Sequence, residues 1–310
     1  MAAGDSLIQG FEKRSGFMTE FFQQIINGIS LGSVYALISI GYTMVYGIIK
    51  LINFAHCDIF MVGAYTGYFA ISTLRLSFLP ALLFTMAVCA LLGVAIEKIA
   101  YKPLRNSAKE TLLITTIGVE LFLQNIIKTK ALAGPNVLNF PEVVKTETFK
   151  IGSLQFSNIQ VITLGITVIM CIALQFLINK TNTGRAMRAT SYDRDAAALM
   201  GININRIISV TFAIGSGLAA TGGIVFGMLY PKLEPVMGVM PGLKAFVAAV
   251  LGGIGIVPGA MVGGLAIGLI ETLSKVYISS GLSDAIAFII LIIILLVKPT
   301  GLFGKRSVKV

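Results

Sequence analysis

The chain has 310 residues, 56% of them hydrophobic and only 12% charged, with a formal net charge of +10 and a mean hydropathy of +0.88. A soluble domain carries about a quarter charged residues, so a water-soluble fold is excluded and lipid must be the solvent for most of the length. The cations collect in short segments between apolar runs, as in loops that follow the positive-inside rule, and form no basic stripe with interleaved aromatics for nucleic acid.

Charge-free runs occupy 21–49, 76–96, 151–179, 207–231, 245–270 and 285–297. Several exceed the roughly 20 residues that cross about 30 Å of hydrocarbon as a helix. The expected fold class is all-α: a polytopic transmembrane helical bundle of eight to nine spans with at least one broken helix. Residues 1–17 are mixed and polar, without a cleavable signal, and read as an N-terminal extension before a natural start at Met18. Residues 18–304 read as a single transmembrane domain.

The first span begins near Phe21 and carries Gly28 and Gly32, a small-xxx-small pair that lets helix backbones approach. The stretch INFAHCDIF follows at 52–60, with the chain's one histidine, His56, beside Asn53, Cys57 and Asp58. A helix interruption is expected over Lys50–Asp58, because such a polar cluster between two spans suits backbone that is buried in protein or lines a cavity. Ionisable residues at that depth are usually functional, so Asn53, His56 and Asp58 are candidates for a translocation route. The competing reading is that Asn53 and His56 satisfy a bent backbone near the interface.

Spans follow to about Thr73 and over 79–96, then a basic segment, 97–110, read as cytoplasmic. Residues 111–127 form a span with Glu120 in its middle, a further candidate, though structure is favoured over transport for it and for Glu271. Lys244 or Lys275 could pair with Glu271. The longest polar connection, 129–158, is placed outside, and TFKIGSLQFS within it predicts a β-hairpin around Gly152-Ser153. After span 159–179 comes a cytoplasmic loop, 180–206, then span 207–230 and three further segments over 242–257, 258–278 and 283–297. The first of these three is short and glycine-rich, hence the expected break. The tail, 305–310, is basic and read as cytoplasmic.

Cys57, Cys89 and Cys171 lie in or beside apolar runs and read as packing residues rather than a disulfide framework. The chain has no phosphate-binding loop, no metal-ligand spacing and no evident Ser/His/Asp set, so neither catalytic residues nor a cofactor is expected. Any active transport then draws its energy from an ion gradient or a partner.

Loop 180–206 reads as two short helices. Ser191 or Asp193 is placed to cap the second and Gly201 to end it in a left-handed conformation. Its small apolar run Ala196–Met200 suits the groove of a partner protein, and the plain alternative is a solvated helix holding lipid headgroups through its arginines. Here GRAMRATSYDRDAAALMGIN resembles the cytoplasmic coupling loop of branched-chain amino acid ABC transporter permeases of the LivH type. YALISIGYTMVYGIIKLINFAHCDIFMVGAY and GLKAFVAAVLGGIGIVPGAMVGGLAIGLIE resemble the N- and C-terminal signatures of that family. The likeness covers essentially 18–304, with Cys57 standing where the family usually has glycine.

The resemblance implies a bacterial inner-membrane permease subunit for leucine, isoleucine or valine. It also implies a homologous LivM-like second permease, two cytoplasmic ATPase subunits and an extracytoplasmic binding protein. The loop would seat on the ATPases through Gly184, Arg185, Arg188, Arg194, Asp195, Ala198 and Gly201. Urea and short-chain amide importers share the architecture. An ion-coupled secondary transporter using Asp58, Glu120 and Glu271 is the reading from another class.

Overall fold

The computed structural model describes residues 2–50, 53–105, 107–130 and 132–304, with residues 2–17 and Ile151 described in their backbone only. The 305–310 tail and the side chains of the 1–17 extension lie outside the described residues. Helices dominate: α1 Ala2–Ile49, α2 Ala55–Ser72, α3 Phe78–Ile96, α4 Lys109–Ile127, α5 Asn158–Lys180, α6 Asn182–Tyr192, α7 Arg194–Leu199, α8 Ile204–Leu229, α9 Val239–Gly252, α10 Val257–Tyr277 and α11 Ser283–Val297. Two short antiparallel pairs complete the elements, β1 Leu138–Asn139 with β4 Lys232–Leu233, and β2 Thr148–Ile151 with β3 Leu154–Ser157. The second pair is the expected hairpin, with Gly152 at φ 63° in its turn.

Among the described residues, six helices are long and apolar enough to cross a membrane: 18–49, 78–101, 109–127, 158–180, 204–229 and 257–277. The chain is a multi-pass membrane protein. α9 and α11 are apolar but have 14 and 15 residues, short of the roughly 20 that a straight crossing needs. α2 is diluted by His56 and Asp58 in its first turn.

Burial separates the helices into an inner and an outer set. The most apolar stretches of α1 and α8 are 83% and 72% buried, against 22% for α5 and 28% for α4. In lipid the hydrophobic effect does not drive helices together, so close approach must come from small residues. A Cβ on Gly63 would lie 2.5 Å from the Ala220 Cα, and one on Gly223 would lie 2.3 Å from the Phe60 carbonyl oxygen, which locks α2 to α8. The expected Gly28/Gly32 pair works the same way inside this chain, and so do glycines of α10. Gly28 and Gly32 of α1 meet Leu269 and Leu265 of α10, Gly264 and Gly268 return the contact at Ala36 and Gly32, and Gly263 meets Ala248 of α9.

These contacts fix directions and define two ends. α1 and α10 run antiparallel, because rising numbers on one meet falling numbers on the other. At the first end, Gln23 of α1 bonds the hairpin through the Gln155 backbone, with Gln23 Nε2 donating to O (2.6 Å) and Oε1 accepting from N (2.9 Å). The β1–β4 pair sits there too. At the second end, the last carbonyls of α1 meet Arg194 of the α6–α7 loop.

Each loop helix is capped by its own neighbour in sequence. Ser157 and Gln160 form a capping box at α5, Thr181 caps α6 and Asn203 caps α8. Asp193, rather than Ser191, caps α7 by accepting from the Asp195 and Ala196 amides, and Gly201 leaves α7 at φ 81°.

Candidate functional site

α1 stops at Ile49, and Lys50 takes φ 58°, a left-handed conformation that a non-glycine residue rarely adopts. The chain does not resume as helix until Ala55, so His56, Cys57 and Asp58 form the first turn of α2 and the interruption is shorter than Lys50–Asp58. Leu51 and Ile52 lie outside the described residues. Because Gly63 faces Ala220 and Gly67 faces Ile224 in parallel register, Ala55 falls level with Phe212, about 12 Å along α8 from its start at Ile204. The α2 N-terminus is thus buried inside the bundle.

Three hydrogen bonds and one ring contact hold that end. Tyr101 Oη donates to Asn53 Oδ1 at 2.6 Å. Tyr101 ends a π-turn, Glu97–Tyr101, that continues α3, and such bulges turn a side chain off the regular helical path. His56 lies against Tyr42 with ring centroids 4.6 Å apart, in space left by Gly41, where a Cβ would stand 2.5 Å from Nε2. Tyr42 Oη and Cys57 Sγ are 2.7 Å apart. Gln124 Nε2 donates to Asp58 Oδ1 at 3.2 Å and stands 3.4 Å from Glu120 Oε1, one turn away on its own helix. The structure therefore brings Asn53, His56, Asp58 and Glu120 to one buried turn.

The α9 N-terminus meets the same turn. A Cβ on Gly238 would lie 2.3 Å from the Cys57 carbonyl oxygen, and one on Gly242 would lie 2.2 Å from Cys57 Sγ. The thiol's bulk at position 57 is accommodated by glycine across the contact. Two helix N-termini, each without a side-chain cap, meet at this turn, and the positive ends of their macrodipoles face it. Asn53 Nδ2 and His56 Nε2 are buried there with no hydrogen-bond partner.

Glu271 belongs to a separate cluster. Its carboxylate receives Lys244 Nζ at 2.7 Å, Lys275 Nζ at 2.6 Å and Tyr35 Oη at 2.7 Å, and Lys244 also reaches Asp284 at 2.6 Å. Both expected lysine partners are engaged, and α1, α9, α10 and α11 are tied at one point.

The loop residues divide into an inner and an outer set. Gly184 is buried, and a Cβ there would meet the Leu177 and Ile178 carbonyl oxygens at 2.2 Å, so glycine lets α6 fold back on α5. Met187 and Thr190 share that inner face. Arg188 donates to the Ile178 carbonyl. Arg194 is half-buried, with Nη2 donating to the Ile48 (3.0 Å) and Ile49 (2.8 Å) carbonyls. It closes the C-terminus of α1, where cations are favoured. Burial, with the nearby Arg105 charge added, lowers its pKa from the ordinary arginine value.

Arg185, Asp195 and Ala198 are exposed. So are three large apolar side chains, Tyr192 at 92%, Leu199 at 89% and Met200 at 82%. They sit on the short loop helices that follow α5.

Some of these residues could not be read from the sequence. Gln124 could have been found as the i+4 neighbour of Glu120. Tyr42, Tyr101 and Tyr192 carry no local signal, since their roles depend on a kinked backbone or a bare surface.

A family described as branched-chain amino acid transport system / permease component matches residues 24–295. The chain belongs to this permease family. It is 41% identical over 306 residues to the high-affinity branched-chain amino acid transport system permease protein LivH of Salmonella typhimurium. It is 42% identical over 302 residues to LivH of Escherichia coli. BraD of Pseudomonas aeruginosa, also a high-affinity branched-chain amino acid transport system permease protein, is 40% identical over 301 residues. Each alignment takes in 93% of this chain and 97% of the relative. The permease is thus a transport-system component, and its α6–α7 loop and α2 entry turn are to be read in that setting.

Proposed function

We propose that the permease is one membrane subunit of an ATP-driven importer for branched-chain amino acids in a bacterial inner membrane. It would work beside a homologous second permease, two cytoplasmic ATPase subunits and an extracytoplasmic binding protein. The observation that carries this reading is the exposed Tyr192–Leu199–Met200 patch at the basic end. Exposed apolar side chains clustered on a polar loop mark a protein contact. The chain's own lack of a phosphate loop leaves ATP hydrolysis to whatever docks there.

Three links would carry motion from that patch inward. α7 holds the end of α1 through Arg194, α1 leads into the interruption at 50–54, and that segment opens α2 beside Asn53, His56 and Asp58. Nucleotide-driven closure of the ATPases would bias the route between outward- and inward-open states through these links. The paired N-termini of α2 and α9 suit the carboxylate of an amino acid. With α2, α9 and α11 counted beside the six long helices, the chain makes nine passes, three of them built on interrupted or short helices. The pairing of Glu271 with Lys244 and Lys275 disfavours Glu271 as an ion-coupling site, which leaves Asp58 and Glu120 to an ion-coupled reading.

The test is co-purification of the intact complex from membranes, with Leu199→Glu and Met200→Glu as a double variant. Both side chains are exposed, so the fold is retained. Loss of a nucleotide-hydrolysing subunit from the variant supports the reading. No such subunit with the intact chain, or an undiminished one with the variant, overturns it. For the route itself, leucine uptake unchanged in a normally assembled Asn53→Ala variant would remove Asn53 from it.

A further inference from the structure

Beside the end of α1 lies a cavity of about 410 Å³ that the transport reading leaves unused. Its walls come from the last turns of α1, from Ile178 of α5, from Met187, Arg188 and Ser191 of α6, and from the 254–257 connection into α10. The body is apolar, with Met44, Ile48, Ile178 and Val257. The polar groups are Thr43, Tyr46, Lys50, Arg188 and Ser191, and none of the lining residues is acidic. Thr43 is 1% exposed, and its Oγ1 has no hydrogen-bond partner. A buried hydroxyl left unpaired costs free energy unless something else completes it. α10 also starts at this wall with no side-chain cap, so the positive end of its macrodipole lies beside the cavity.

We infer that this cavity is an effector site for a small aliphatic carboxylate without an ammonium group, such as the 2-oxo acid of a branched-chain amino acid. The two cations and the α10 N-terminus fit the carboxylate, Thr43 completes it, and the apolar body takes a branched chain. A zwitterion fits less well, because no lining carboxylate receives its ammonium. Access is from water rather than lipid, since one wall is α6, which lies beyond the end of α5. The ligand would bridge α6 to α1 and the start of α10 and so stiffen the loop against the membrane helices. Its expected effect on ATP hydrolysis rests on the docking reading above. Its binding does not.

The experiment is calorimetry with 4-methyl-2-oxopentanoate on the full chain in phosphatidylcholine nanodiscs. Leucine and the neutral 4-methylpentanamide are the comparison ligands. Saturable binding of the oxo acid is expected, at least tenfold tighter than of either comparison ligand. Thr43→Val should weaken it about fivefold to tenfold, the loss of one buried hydrogen bond, and Lys50→Met by a similar factor. Gly47→Leu should abolish it by filling the cavity, since a Cβ at Gly47 meets nothing nearer than the Gly255 Cα at 3.5 Å. Equal binding of the amide, or binding indifferent to all three substitutions, overturns the proposal. So does an absence of saturation at millimolar oxo acid, or displacement by phosphatidylglycerol, which would make the cavity a lipid-headgroup site. If binding holds and ATP hydrolysis by a complex shown to contain its ATPase does not respond, the docking reading stands and the effector role falls.

Discussion

Arg194 shows how one side chain can serve two elements. The last carbonyls of a helix have no intrahelical donors, and at α1 the guanidinium supplies them from a different helix, 145 and 146 positions along the chain. Replacing it by methionine keeps the aliphatic stem and removes both bonds. Arg194→Met is expected to cost about 1–3 kcal/mol, the range for a charge-assisted bond whose acceptor is left unsatisfied, and Arg194→Lys to recover part of it. Thermal unfolding of the detergent-solubilised protein checks this, and an unchanged midpoint in the methionine variant would remove the link between loop and α1. The Glu271 cluster gives a second case. Lys244→Met should destabilise by about 3 kcal/mol, near the lower end for breaking a buried pair, because Lys275 and Tyr35 still hold Glu271. Adding Glu271→Met should restore most of the loss, and a double-mutant cycle measures that coupling.

At the scale of elements, the α2–α8 contact depends on the absence of side chains. Gly63 and Gly223 face each other's helix at distances no Cβ tolerates, so Gly223→Val must push α2 off α8 and shift the turn that carries Asn53 and His56. The expected result is a fall in thermal midpoint together with lost leucine uptake, whereas Gly165→Val of α5, where a Cβ meets nothing within 4 Å, should leave both unchanged. Equal tolerance at the two positions would mean that packing does not set the position of α2. This is also where reading from sequence succeeds and stops. Helix ends were legible, because a cap is a local contest between neighbouring residues: Asp193, Gly201 and the Gly152 turn could each be named from a few positions. The interruption after α1 was legible from the density of polar residues in INFAHCDIF. Its partners were not, since Tyr101 depends on a π-turn with no sequence signature, and the bond from Arg194 to the end of α1 joins residues about 145 positions apart. The glycine pairs declared tight packing, but a spacing of four does not say which helix is met, and all of those described meet helices of the same chain.

For the whole molecule, the direction of each helix follows from which end it shares. α1 leaves the hairpin end and arrives at the loop end. α3, α5, α9 and α11 run the same way, and α2, α4, α8 and α10 run back, as the Gly93–Ser216 contact and the α9–α10 and α1–α10 glycine contacts require. The loop end carries Arg105, Arg185, Arg188, Arg194 and Arg206, and from the positive-inside rule we propose that it faces the cytoplasm. On that proposal, an odd number of passes leaves the start of α1 and the 148–157 hairpin outside. Site-directed labelling tests this directly, with little background, because Cys57, Cys89 and Cys171 are all free and buried. In intact cells a membrane-impermeant maleimide should label Ser153→Cys, at the exposed hairpin turn. Tyr192→Cys should label only once the inner membrane is permeabilised. The reverse pattern would invert the protein and place the Tyr192–Leu199–Met200 patch where no ATPase could reach it. Labelling of both positions from outside would mean an even number of passes between them, and α5 would then lie along the membrane rather than through it.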